Sequence, residues 1–367
     1  MATATTATTK PKRVVALVTH PIQYQAPLFR HLAKDPALEL VVVFLTDRGG
    51  AHDAGFGRNV TWDVSLTDGY QQRFVSPGPR SRPGDVWRLW ALLRRTRADA
   101  LWIHGWGHPL LVLALVAGRS LAPAVLVRGE ARLAPGRLRA LWHRWLLRRA
   151  DAGLAIGRDN RAFLVARGVA NERVFDVPYA VDGARFSVDR AMRDPDDGLI
   201  VLFVGKLQPH KRPLDLARAV RRLRASGVRI EAWFVGSGPL AMDLADEVCL
   251  GFRNQSELPA IYARADVLCL PSEHEPWGLV VNEAAHAGCA LVLSDAVGAA
   301  ADLVVEGETG RTFPAGDVAA LTAVLGELAR DRAATRRLGE RARERVAAYD
   351  FESCRLGLQR ALDVVLT

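Results

Sequence analysis

Leu199-Ile200-Val201-Leu202-Phe203-Val204-Gly205-Lys206-Leu207-Gln208-Pro209-His210-Lys211-Arg212-Pro213 is the stretch from which the fold is read. Its first six residues form an unbroken apolar run, the pattern of a strand buried on both faces of a parallel sheet. Pro213 suits the first turn of a helix, Leu216, Val220 and Leu223 mark one apolar face, and Gly227 stops it. Strand, basic glycine-bearing loop and helix in that order put a ligand at the carboxyl end of a parallel strand. The loop holds Lys206 and Lys211, two of only five lysines, whereas arginine supplies the other 44 of 49 basic residues. Lysine is a compact point charge suited to phosphate; the plainer alternative is a solvated basic loop.

A second unit of the same kind lies downstream. Ala265 to Leu270 reads as a buried strand, Pro271-Ser272 ends it, and Val280 to Ala287 has helical periodicity until Gly288. Ala290 to Leu293 then starts a further strand. Within Glu275-Pro276-Trp277-Gly278-Leu279-Val280-Val281-Asn282-Glu283, one carboxylate sits in the loop and the other near the first turn of the helix. Between them, Trp277-Gly278-Leu279 offers backbone N–H groups at the positive helix end, where an anion is stabilised. Two hydroxyl-accepting carboxylates beside an anion-binding helix end suit a ligand that is part polyol and part phosphate. The plainer alternative is a capping acid and a solvated helix acid.

The rest of the chain agrees with a large α/β protein. Val14 to Val18, Leu38 to Phe44, Ala100 to Ile103, Ala124 to Val127 and Gly153 to Ile156 read as buried parallel strands. A length of 367 residues implies two domains, expected at 13–193 and 194–350, with Asp194-Pro195-Asp196-Asp197-Gly198 as a turn-rich linker. Asp194 and Asp196 imitate a metal-binding D-x-D, but a place in a linker makes a solvated turn the better reading, and no metal is expected. Residues 1–12 read as a disordered tail with no apolar core of signal-peptide length. The longest obvious apolar run, Leu110 to Ala117, is eight residues, and a bilayer span needs ~20. Cys249, Cys269, Cys289 and Cys354 lack pairing or metal-like spacing, which fits a reduced, cytoplasmic protein.

The net charge of +9 is concentrated in places. Arg137, Arg139, Arg144, Arg148 and Arg149 interleave with Leu138, Leu141, Trp142, Trp145, Leu146 and Leu147. Two readings stay open for 137–149: a surface helix with its apolar side in the core, or peripheral contact with an anionic membrane. Nucleic acid is not an expected partner, because no aromatic-studded basic motif of a recognised type is present.

Five motifs in ordered succession resemble the family 4 retaining glycosyltransferases of the GT-B fold. They are Val177-Pro178-Tyr179-Ala180-Val181-Asp182 with Phe186, Gly205-Lys206 with His210 to Pro213, Val235-Gly236-Ser237-Gly238-Pro239, Glu275 to Glu283, and Gly307-Glu308-Thr309-Gly310 with Phe313. The resemblance covers roughly residues 150–350. It implies an α/β architecture of two Rossmann-like doubly wound domains with parallel sheets and a cleft between them. The closing helix, Phe351 to Val365, would then cross back onto the first domain. The donor would be a nucleotide-diphosphate sugar, with no separate cofactor. Glu275 would hydrogen-bond sugar hydroxyls, Glu283 the ribose, and Lys206 and Lys211 the diphosphate. Lys206 stands where the family more often has arginine. Gly205, Gly236, Gly238, Pro276, Trp277, Gly278 and Leu279 would complete the donor site, and Phe252 and Arg253 would lie near the nucleobase. A family of this kind needs no catalytic carboxylate dyad.

The acceptor side is carried by the first half. Val18-Thr19-His20-Pro21-Ile22-Gln23-Tyr24-Gln25 follows the first strand without the glycine-rich loop of many family members. With Gly55-Phe56-Gly57, Trp62-Asp63 and Gly69-Tyr70, it resembles a bacterial subgroup. His20, Gln23 and Tyr24 are candidates there; His104, Arg128 and Glu130, at the ends of later strands, are the others. The family's sugar-contacting histidine is missing near Arg128-Gly129-Glu130, so either Arg128 or Glu130 would substitute or the donor would differ. The acceptor would carry a hydroxyl, as a cell-surface glycan intermediate or a secondary metabolite. Two alternatives remain: a nucleotide-sugar epimerase or non-catalytic binder on the same fold, and an NAD-dependent oxidoreductase suggested by G-x-G-x-x-A at Gly236 to Ala241.

Overall fold

The computed structural model describes residues 10–47, 52–53, 56–133, 136–189 and 197–367. Most of the tail, Gly55, and the Asp194–Asp196 pair lie outside the described residues. The first lobe runs β1 (Lys12–Val18), α1 (Gln25–Leu32), β2 (Leu38–Thr46), β3 (His52–Asp53), β4 (Arg58–Asn59), β5 (Gln71–Ser76) and α2 (Asp85–Thr96). It continues with β6 (Ala100–His104), α3 (Pro109–Ala117), β7 (Ala124–Arg128), α4 (Arg137–Leu147), β8 (Ala152–Ala155), α5 (Arg158–Ala166), β9 (Val174–Asp176) and α6 (Gly183–Phe186). The second lobe opens with β10 (Leu199–Val204), α7 (Pro213–Ala225), β11 (Ile230–Val235), β12 (Val248–Gly251), α8 (Leu258–Tyr262) and β13 (Val267–Leu270). It closes with α9 (Leu279–His286), β14 (Ala290–Ser294), α10 (Ala300–Leu303), β15 (Gly310–Phe313), α11 (Val318–Arg330), α12 (Arg332–Val346) and α13 (Phe351–Val365).

Each lobe is a parallel sheet with helices on both faces. The strand orders are β5-β2-β1-β6-β7-β8-β9 and β12-β11-β10-β13-β14-β15, with β3 and β4 forming a separate short hairpin. All pairings within the two large sheets are parallel, so the expected pair of Rossmann-like lobes is present. The apolar runs are strands because both faces are covered: Val14 to Leu17, Leu199 and Val201 to Phe203 are fully buried. In each sheet the order reverses once, between β1 and β6 and between β10 and β13. Those reversals open crevices at the carboxyl ends of the strands, where α/β sheets bind ligands.

Several strands were not legible from apolar runs, β5 and β9 of the first sheet among them. In Gln71-Gln72-Arg73-Phe74-Val75-Ser76 only Phe74 and Val75 are apolar, as a sheet edge allows, and β9 is three residues long. The last helix, α13, packs on the first sheet, with Cys354, Leu358, Ala361 and Leu362 buried alongside Val14, Val42 and Leu126. No described helix is long and apolar enough to cross a membrane.

The loops after β10 and β11 lie directly on each other. Gly205 N–H donates to Val235 O (2.9 Å), Leu207 N–H to Ser237 O (3.0 Å) and Leu240 N–H to Leu207 O (3.1 Å). Gly236 (φ +138) and Gly238 (φ +155) make this approach feasible, since a Cβ on Gly236 would collide with Gly205 O and one on Gly238 with Leu207 O. The second glycine pair therefore serves loop packing. The following segment forms a short 3-10 turn, Met242–Leu244, and not the long helix of a dinucleotide fingerprint, which removes the support for an oxidoreductase.

Gly236→Ala is expected to destabilise the protein by at least ~3 kcal/mol, against about 1 kcal/mol for Gly227→Ala, which shares a positive φ (+83) but has open space around it. Urea denaturation of the two variants measures this. Equal losses would show that the Gly205–Gly236 contact is unimportant.

Candidate active site between the lobes

The cradle at the carboxyl edge of the second sheet is built mostly by backbone. Residues 205–212 leave β10, and residues 271–278 leave β13 beside it. Glu273 N–H donates to His210 O (2.9 Å), which joins the two loops. On its other side, residues 275–278 are fixed to residues 296–299: Gly298 N–H donates to Glu275 O (2.9 Å) and Ala299 N–H to Trp277 O (3.0 Å). A Cβ on Gly298 would collide with Pro276 O. Gly278 (φ +92) then turns the chain into α9, whose first turn carries no side-chain cap. That leaves helix-end N–H groups of the Leu279 region for a ligand.

Lys211 and Glu275 meet inside this cradle as an ion pair, with side chains 18 % and 16 % exposed. Arg212, at a left-handed φ of 51°, reaches Glu273 (3.3 Å) and Asp215 (2.6 Å), which holds the bend after Lys211. Lys206 extends over the ring of Phe56 (5.0 Å to its centroid), and Ser237 Oγ donates to Phe56 O (2.8 Å). Phe56 and Trp62 both pack on Phe252, at 5.2 and 5.9 Å between ring centroids. A strap from the first lobe thus lies on the region expected to meet the nucleobase. Asn254 Nδ2 donates to Thr61 O (2.9 Å) and Ser256 N–H to Asp63 (3.0 Å), extending the same contact. Arg253 departs from its expected place: its guanidinium is held by Glu257 (2.9 Å) and lines a separate groove with Trp233 and Arg264.

Trp277 and Glu283 are more enclosed than expected of ligand contacts. Trp277 is 3 % exposed, its indole donates to Asn282 Oδ1 (2.8 Å), and its ring packs against Tyr179 and Tyr349. Its side chain is a packing element between lobes. Glu283 is fully buried and receives the Tyr262 hydroxyl (2.7 Å). Tyr24, half-buried, reaches Glu283 from the first lobe, and Gln255 also contacts it. Burial pushes the Glu283 carboxyl up to about 7, against hydrogen bonds from Tyr262, Gln255 and Tyr24 that pull it down.

Across the cleft, the carboxyl ends of β1, β6 and β7 surround a cavity of about 320 Å³. Thr19, Gln25, His104, Arg128, Glu130 and Tyr179 contribute to its wall. Arg128 is 3 % exposed, donates Nη2 to Val177 O and Pro178 O (both 3.0 Å), and stacks on Tyr179 at 4.8 Å. No carboxylate pairs with it among the described residues. Gln25 Nε2 lies 3.3 Å from His104 Nδ1, while Gln25 Oε1, His104 Nε2 and Arg128 Nε are buried without hydrogen-bond partners. Burial, reinforced by the Arg128 charge, holds His104 well below the usual imidazole range, so it is neutral at pH 7. The Tyr179 hydroxyl donates to Glu130 at the rim. His20 sits beside this cavity with Nδ1 3.0 Å from Thr19 Oγ1, whereas Gln23 and Tyr24 turn toward Arg185 and toward Gln255 of the second lobe.

A larger groove, about 600 Å³, joins the two halves. Glu130, Arg132 and His143 form one wall, and Glu273, His274 and Pro276 the other. Arg132 ties the lobes by donating to Ala296 O (2.8 Å) and pairing with Asp159 (2.6 Å). Gln25, Tyr262 and Gln255 were not among the expected site residues. Gln25 carried a local signal, in the polar loop after β1; Tyr262 and Gln255 gave none, since only tertiary packing brings them to Glu283.

Two family models match the chain: "Glycosyl transferases group 1" over residues 187–345 and "Glycosyl transferase 4-like domain" over residues 21–180. The chain is 30% identical over 325 residues to glycogen synthase of Mycobacterium tuberculosis, spanning 82% of this chain and 74% of that protein. It is also 30% identical over 285 residues to D-inositol 3-phosphate glycosyltransferase of Nocardia farcinica, spanning 71% and 62%. Among solved structures, sucrose-phosphate synthase of Thermosynechococcus elongatus superposes with a TM-score of 0.75 at 19% identity, covering 96% of this chain and 99% of that one. HepE of Anabaena, in complex with UDP and glucose, gives 0.72 at 15% identity, covering 96% and 100%.

Because burial in the fold weakens the Glu283 carboxyl as an acid, its protonated form adds stability that is complete below about pH 4.5 and is lost as pH climbs through 7. Wild-type protein is therefore expected to lose roughly 3 kcal/mol relative to Glu283→Gln between pH 5 and pH 8. Denaturant titrations across that range test it; parallel curves for both proteins would show that the carboxyl is ionised at little cost.

Proposed function

The chain belongs to the family 4 glycosyltransferases of the GT-B fold, and from that premise we propose a retaining, metal-independent transfer of a sugar from a nucleoside diphosphate to a hydroxyl acceptor. The observation that carries the reading is the cradle at the switch point of the second sheet. Lys206, Lys211, Glu275 and the start of α9 converge there, opposite His104, Arg128 and Glu130. A nucleotide-sugar donor is also supported by the UDP and glucose bound to HepE and by the GDP-mannose dependence in the name of a mycobacterial relative, 34% identical over 184 residues.

In this reading the Lys211–Glu275 pair is a resting arrangement. A diphosphate draws the ammonium to its oxygens, and Glu275 is freed to accept hydroxyls of the transferred sugar. Breaking the bond from the anomeric carbon to the phosphate oxygen builds positive charge on the sugar ring and negative charge on the departing diphosphate. Lys206, Lys211 and the helix end stabilise that negative charge at fixed positions, each well-placed donor contributing ~3 kcal/mol. The acceptor oxygen bonds to the anomeric carbon on the face the phosphate leaves, and its proton passes to the departing phosphate oxygen. Products are a glycoside and a nucleoside diphosphate. Neutral His104 and Glu130 hold the acceptor or sugar hydroxyls, with Tyr179 and Arg128 positioning them.

Thermal-shift measurements with UDP, GDP, TDP and NAD should raise Tm for one or more of the three diphosphates and leave it unchanged with NAD. Lys211→Ala is expected to lower kcat by about 100-fold or more. Glu275→Gln should weaken donor-sugar binding while nucleoside diphosphate binding persists. A glycosyl adduct trapped on Glu275, an inverted product, or loss of activity in EDTA would overturn the corresponding part of the proposal.

A further inference from the structure

Five of the thirteen large apolar side chains exposed among the described residues fall within 133–145: Leu133, Leu138, Leu141, Trp142 and Trp145. Others, such as Trp87 and Met242, stand far apart in sequence. At 100° per residue, Leu138, Leu141, Trp142 and Trp145 occupy one side of α4, while His143, Leu146 and Leu147 occupy the buried side. Leu138 is 85% and Leu141 61% exposed, and the two indoles are 45% exposed each, stacked at 5.1 Å between centroids. An amphipathic helix normally turns such a face inward; here it faces solvent.

The same stretch is basic throughout. Between Glu130 and Asp151 no carboxylate occurs, whereas Arg137, Arg139, Arg144, Arg148 and Arg149 lie in or just after α4. None of the five forms an ion pair among the described residues, and Arg149 stacks on Trp145 at 3.7 Å. A second copy fits this face poorly, because an isologous contact would set the same unpaired arginines against each other. A negatively charged lipid surface neutralises the arginines that flank the apolar side and takes the leucines and indoles below its headgroups.

We propose that α4 docks this protein on an anionic bilayer through Leu138, Leu141, Trp142 and Trp145, framed by the arginines. The opposite flank of the helix contributes Arg139, Ala140 and His143 to the groove that reaches Glu130 and Pro276. A bilayer held at α4 therefore lies within about one helix diameter (~10 Å) of the inter-lobe groove. Docking stands apart from the transferase reading, because vesicle binding needs no turnover.

The test is flotation of the full chain with vesicles of phosphatidylcholine alone or with 30% phosphatidylglycerol, at low and high salt. Anionic vesicles should bind at least about tenfold more protein than neutral ones, with the difference shrinking at high salt. Leu138→Glu/Leu141→Glu should lose that binding while keeping the wild-type melting temperature, both side chains being largely exposed. Arg144→Gln/Arg148→Gln should weaken it by about fivefold per charge. No preference for anionic vesicles, or undiminished binding by the Glu variant, would overturn the proposal. So would a wild-type dimer that the Glu variant converts to monomer, which would assign the face to a second copy.

Discussion

Close backbone contact at the carboxyl edge of the second sheet is the constraint on which the site depends. Four loops are laid against each other in two pairs with no side chain between them, at Gly205–Gly236 and Leu207–Gly238 and at Pro276–Gly298. Main-chain hydrogen bonds fasten each contact, so the ammonium groups and Glu275 are carried on elements with little freedom to relax. Electrostatic stabilisation of a leaving group is effective only when the charges are in place beforehand. The glycines supply that preorganisation.

The lobes are held together by a different set of contacts. Arg158 N–H donates to Asp302, Trp277 fills the space that a side chain at residue 157 would need, and Arg132 reaches Ala296 O. On the far side of the cleft, Asn254 Oδ1 accepts from Asp63 N–H, Asn254 Nδ2 donates to Thr61 O, and Tyr24 touches Glu283. Two of the acids expected to face a ligand are therefore engaged by protein groups: Glu275 by Lys211, and Glu283 by tyrosines. A ligand that used them would compete with these partners, which links occupancy of the cradle to the contact between the lobes.

The architecture was legible because its signals are local. A parallel strand buried on both faces announces itself as an apolar run, and a helix-opening proline or a stopping glycine marks the next element; β10, α7, β13 and α9 all follow this logic. Edge strands escaped for the converse reason, as β5 has only two apolar residues and pairs on one side, with β2. Side-chain partnerships escaped more completely. Tyr24 and Glu283, or Phe56 and Phe252, are separated by some two hundred residues or more, and nothing in either neighbourhood names the other. The stretch 137–149 left two readings open, since its composition says that a helix is amphipathic but not which face the fold has room to cover.

The return of α13 to the first sheet has a mechanical consequence. The chain passes between the sheets twice, once after β9 and again between α12 and α13, so the lobes are joined by two covalent crossings. Two tethers behave as a book spine: they permit opening about the line that connects them and resist twisting about any other. Tyr349, in the second crossing, bonds Asp302 (3.1 Å) and packs on Trp277, which places the pivot next to the cradle. Small rotations there are converted into larger displacements at the far rim, where Phe56 and Trp62 rest on Phe252.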